Sequence, residues 1–113
     1  MGNLQYSSER KGDTAIVRIG GSLDAETAPG FASRLRGEID KGAKIIICAM
    51  PELDYIASAG MGVLISTNEE LNREGGKMVM ASMNDKVKKI FKLLGFDNLF
   101  ETYGDEKSAI DAI

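Results

Sequence analysis

Histidine is absent from this chain of 113 residues, and cysteine occurs once. Without an imidazole no Ser-His-Asp triad can form, and the commonest side-chain ligand of transition metals is missing. Cys48 has no partner for an internal disulfide, and within Ile45-Ile46-Ile47-Cys48-Ala49-Met50 it reads as filler of a buried strand. No apolar run reaches the roughly 18 residues that suggest a membrane span. The start, Met1-Gly2-Asn3-Leu4-Gln5, lacks a charged region followed by a hydrophobic one, so the chain is expected in the cytosol. An excess of cations is lacking too: 14 Lys and Arg stand against 17 Asp and Glu. That balance gives no general attraction for nucleic acid or anionic membranes. The acidic residues form no recognisable metal-binding loop, and neither a Gly-x-x-x-x-Gly-Lys-(Ser/Thr) loop nor a Gly-x-Gly-x-x-Gly fingerprint occurs, so no cofactor is expected.

What remains is an ordinary globular composition. A hydrophobic share of 43% with 27% charged residues suits one compact domain over residues 1–113, large enough for one core and too small for two. Leu4 to Glu9 and Thr14 to Ile19 read as strands of a hairpin around Arg10-Lys11-Gly12-Asp13. Ala28, Phe31, Ala32, Leu35 and Ile39 recur at helical spacing, with Thr27 as expected N-cap, Pro29 in the first turn and Gly42 as a stop. Lys44 to Ala49 is a short apolar strand of the kind covered on both faces. Met61, Leu64, Ile65 and Leu71 predict a second helix ending at Gly75-Gly76, and Lys77 to Ala81 the next strand. Val87, Ile90, Phe91 and Leu94 predict a third helix with Asn84 or Ser82 as cap. A short edge strand within Asp97 to Tyr103 and a last helix over Asp105 to Ile113, packed through Ala109, Ile110 and Ile113, complete the order. Alternating strands and helices favour an α/β fold, with about five strands in a mixed, mainly parallel sheet and about four helices.

In such a sheet the loops leaving the parallel strands gather at one edge, which should bring together Ser22 to Asp24, Ile56 to Gly60 and Ser82 to Asn84. Ser58 stands where a strand-like run passes through small residues into a helix-like run. Its hydroxyl either caps the helix or carries chemistry, since an anion there lies in a favourable field. A serine hydrolase is a poor reading of Ile56-Ala57-Ser58-Ala59-Gly60, which lacks the first glycine of Gly-x-Ser-x-Gly as well as any activating histidine. A small anion or nucleotide receptor at the same helix terminus is the alternative. Gly60 and Gly62 would permit close helix-sheet packing or close approach of a partner, and Met61 reads as core. Lys86, Lys88, Lys89 and Lys92 read as a solvated helix face.

Gly21-Ser22-Leu23-Asp24, followed by Ile56-Ala57-Ser58-Ala59-Gly60-Met61-Gly62-Val63-Leu64, resembles the bacterial STAS-domain anti-sigma factor antagonists over nearly the whole chain. The later Gly75-Gly76-Lys77-Met78-Val79 is similar to that family's helix-to-strand connection. The resemblance implies a single non-enzymatic STAS domain in which Ser58 is phosphorylated by a partner anti-sigma kinase. It implies further that the unphosphorylated form binds the anti-sigma factor and frees a sigma factor for transcription, and that a separate phosphatase restores the serine. The partner face expected on that basis comprises Ser22, Asp24, Ile56, Ala57, Ser58, Ala59, Gly60 and Asn84. Ala57 stands where many members carry aspartate, and Ala59 replaces a second hydroxyl residue.

Overall fold

In the computed structural model, which describes residues 3–113, the elements alternate as expected; Met1 and Gly2 of the N-terminal pentapeptide lie outside the described residues. Strand β1 (Leu4–Lys11) turns at Gly12-Asp13 into β2 (Thr14–Leu23), and the hairpin register runs from Leu4 opposite Gly21 to Lys11 opposite Thr14. Then come α1 (Ala28–Asp40), β3 (Ile45–Ile56), α2 (Ser58–Arg73), β4 (Lys77–Ala81), α3 (Asp85–Leu93), β5 (Glu101–Tyr103) and α4 (Glu106–Ala112). The sheet order is β1-β2-β3-β4-β5, with β1 antiparallel to β2 and every other pair parallel.

The period-2 alternation of the strands divides the core into two layers. Ala15, Val17 and Ile19 of β2, Ile46, Cys48 and Met50 of β3, and Met78 and Met80 of β4 point to one face. There they meet Phe31 and Leu35 of α1, Met61, Leu64 and Leu71 of α2, and Val87 and Phe91 of α3. The alternate residues Ile16, Ile47, Ala49, Val79 and Ala81 point to the other face, where Ala109 of α4 seals them. Both faces of the central strands are covered, so their sequences are continuously apolar. Cys48 is buried at the centre, and burial pushes its thiol up to about 12, far from a reactive thiolate.

Strand β3 is twice as long as the Lys44 to Ala49 segment that its apolar pattern predicts. The register between β2 and β3 slips between Arg18 and Gly20, so that Met50 and Pro51 together oppose Ile19. A proline cannot donate to the ladder and is accommodated at such a bulge. Beyond it Glu52, Leu53, Tyr55 and Ile56 resume pairing with β2, which itself runs on through its glycines to Leu23. A second slip passes over Asp54. Two helix details also differ from expectation. Thr27 makes no side-chain cap to α1, because its hydroxyl is turned toward the backbone of Ser22 and Asp24. Ile113 lies exposed past the end of α4, so Ala109 and half-buried Ile110 make the packing alone.

Candidate functional site

The strand-end edge is assembled from three connections. Leu23 pairs with Ile56 as the last rung between β2 and β3, and the Ala57 N–H continues the ladder by donating to the Leu23 carbonyl at 2.9 Å. At that rung β3 turns directly into α2, with Ala57 extended at φ −98° and ψ 170° and Ser58 as the first helical residue. The third connection, from β4 to α3, is pinned to β3 by Asn84. Its Nδ2 donates to the carbonyls of Leu53 at 2.7 Å and Pro51 at 3.1 Å, while its Oδ1 accepts from the Val87 N–H at 2.9 Å as the cap of α3. Ser82, at φ 56°, lets the chain turn sharply between β4 and that cap.

Asp24 closes the connection from β2 to α1. Its Oδ1 accepts from the backbone N–H groups of Glu26 at 3.0 Å and Thr27 at 3.1 Å. Thr27 Oγ1 in turn accepts from the Asp24 N–H and donates to the Ser22 carbonyl, both at 2.9 Å. These bonds fix the loop beside the start of α2, and they occupy one Asp24 oxygen while the side chain stays half-buried.

Ser58 does not cap α2. As the first residue inside the helix it cannot place its hydroxyl over the following N–H groups in the manner of a cap, and the cap position belongs to Ala57, whose methyl accepts nothing. Among the described residues the helix start therefore presents backbone N–H groups without a side-chain acceptor, next to the hydroxyl of exposed Ser58. Ala59 is exposed as well, and Ala57 is half-buried. Gly62, one turn after Ser58, has open space where a Cβ would stand, so the surface around the serine is low.

Two members of the expected partner face are internal. Ile56 is 1% exposed because the slip at Asp54 turns it inward like Leu53, and it supports the turn from beneath. Gly60 is buried against β2: a Cβ there would lie 2.5 Å from Leu23 Cγ and 3.0 Å from the Leu23 carbonyl oxygen. Its packing role is clear, whereas Gly62 has none. Met61 is core, as its helical stripe implies. Sequence reasoning overlooked Tyr55, which is half exposed beside the serine turn, and Asp54, whose carboxylate lies 3.6 Å from Lys86 Nζ at the start of α3. The bulge at Asp54 puts two consecutive residues outside, a shift that alternation does not reveal.

A mixed, mainly parallel sheet with a serine-bearing strand-to-helix turn at its carboxyl edge defines the class. The chain belongs to the STAS domain family, whose model matches residues 5–109. Among its relatives is the anti-sigma F factor antagonist of Paenibacillus polymyxa, 26% identical over 109 residues that cover 96% of this chain and 93% of that protein. The fold is similar to that of the anti-sigma factor antagonist SpoIIAA in its unphosphorylated form, at 24% identity and a TM-score of 0.83 with 96% of this chain and 95% of that one covered. The Bacillus cell fate determinant SpoIIAA in the phosphorylated form gives a TM-score of 0.75 at 23% identity, over 96% of this chain and 98% of that one.

Proposed function

We propose that this protein is an anti-sigma factor antagonist: a protein-binding switch that docks an anti-sigma factor through its strand-end edge and is turned off by phosphorylation of Ser58. The observation that carries the reading is the hydroxyl of exposed Ser58 at the first position of α2, beside N–H groups that no side chain among the described residues satisfies. A transferase can reach that oxygen. The phosphoryl group would add about −1.5 to −2 charge at neutral pH and three acceptor oxygens to a surface that already bears Asp24 and Asp54. The helix start favours an exposed anion by roughly 0.3–1 kcal/mol, so the domain tolerates the change. An apolar or acidic partner surface does not, and that difference in affinity between the two forms makes a switch.

The docking face consists of Ser22, Asp24, Ala57, Ser58, Ala59 and Asn84, joined by Tyr55; Ile56 and Gly60 shape it from below. An anti-sigma factor with serine kinase activity supplies the ATP site, and a separate serine phosphatase reverses the modification, so this chain acts as substrate and ligand and not as enzyme. Incubation with the cognate kinase and ATP, followed by mass spectrometric mapping, is expected to place one phosphate on Ser58 and none on Ser58→Ala. Modification that persists in Ser58→Ala sinks the assignment. Phosphorylated protein is expected to bind the anti-sigma factor at least about tenfold more weakly than the unmodified form, a change of about 1.4 kcal/mol.

A further inference from the structure

We propose that the far end of α3 is a second docking surface, separate from the serine edge, and that it fits an anionic lipid surface. Leu93 is 83% exposed, and Leu94 and Leu99 in the connection that follows are 41% and 46% exposed. Large apolar side chains exposed together in one short stretch mark an interaction site more often than isolated ones do. Val87, Ile90 and Phe91 turn α3 toward the core, which leaves Lys88, Lys89 and Lys92 on the outer side. Lys89 lies one turn before Leu93, and Lys92 is its neighbour. Among the described residues none of these three lysines pairs with an acid, whereas Lys86 at the other end of the helix has Asp54. Asp97 and Asp85 are the acids nearest in sequence, so the local balance stays positive in a chain whose net charge is −3.

Unpaired cations beside exposed leucines complement a surface that is negative outside and apolar just beneath. A protein interface of ordinary size buries about 800 Å² per partner, more than a nine-residue helix and its following turn readily offer. A lipid layer needs no matching shape, and its attraction adds up over cations and inserted leucines. The geometry leaves the proposed switch free. Asn84 anchors the start of α3 at the serine edge, and the helix runs back about 13 Å from there, so both surfaces can be used at once. The contact is peripheral, since no helix among the described residues is long and apolar enough to cross a membrane.

Sedimentation of the full chain with vesicles tests this directly. The protein is expected to pellet with phosphatidylglycerol vesicles, to stay in solution with phosphatidylcholine alone, and to be released by added salt. Leu93→Asp and the double variant Lys89→Glu, Lys92→Glu are each expected to weaken binding by at least about tenfold. These positions are exposed, so unchanged melting temperatures should accompany the loss. Ser58→Ala is expected to bind vesicles like the wild type. Failure of the wild type to bind phosphatidylglycerol, or equal binding by Leu93→Asp, overturns the proposal. So does Leu93-dependent binding of the anti-sigma factor without vesicle binding, which assigns the patch to a protein.

Discussion

Ala57 decides how the serine is presented. A short acceptor at the cap position of α2 would take one of the free N–H bonds. Here the methyl leaves those donors open and Ser58 without a competing carboxylate next to it. Ala57→Asp is therefore expected to stabilise the domain by about 1 kcal/mol, the usual worth of a cap, seen as a rise in melting temperature of about 4 °C. A lower melting temperature in the variant would show that the open cap is already satisfied. Asn84 shows the opposite arrangement, since one amide both caps α3 and ties it to β3 through Leu53 and Pro51. Its capping role follows from sequence, but the two strand carbonyls it holds lie more than thirty residues away and do not.

Helix α2 carries two glycines with different reasons to be there. Gly60 lets the first turn of the helix lie against Leu23, whereas Gly62 faces open space. Alanine at Gly62 should gain about 1 kcal/mol of helix propensity, while alanine at Gly60 should lose more than that, because the added methyl has to push α2 off β2. Denaturant midpoints of the two variants check the sign of each. Equal shifts would mean that the close approach at Leu23 relaxes without cost. At Gly76 the same logic applies to a connection, where a Cβ would overlap the Lys44 carbonyl. From the sequence, the Gly60-Met61-Gly62 and Gly75-Gly76 patterns mark the places but not which of the glycines is sterically required.

For the molecule as a whole, α4 is the lightest layer, with one buried residue and one ion-paired anchor. Arg18 reaches across the sheet and donates to both Glu106 oxygens at 2.7 Å, and it also lies 2.7 Å from Glu9. The Arg18 guanidinium beside Glu106 holds that carboxyl below the usual glutamate range. A depressed folded-state pKa means that the pair stabilises the native form above the unfolded value, about pH 4.3, and that this contribution is lost as acid takes the pH down through the folded value. Wild type should therefore lose melting temperature more steeply than Glu106→Gln between about pH 5 and pH 3. Parallel melting profiles for the two proteins would refute a folded-state role for the pair.

The sequence by itself determined the alternation of elements, the two-sided burial of the central strands and the place of the serine turn. All of these are written in local periodicities of 2 and 3.6 residues and in the glycine-rich junctions. It did not join the Lys44 to Ala49 strand to the strand-like run before the serine turn as one β3, because Pro51 interrupts a strand pattern that a bulge restores. Nor did it separate Ile56 and Gly60, which are internal, from Ser58 and Ala59, which are exposed. Only the tertiary structure decided which residues surround Ser58, since inter-strand register, a slip of one residue at Asp54 and the approach of α2 to Leu23 are relations between distant segments. Local pattern carries no record of such relations, because a side chain's exposure depends on what the rest of the chain places beside it.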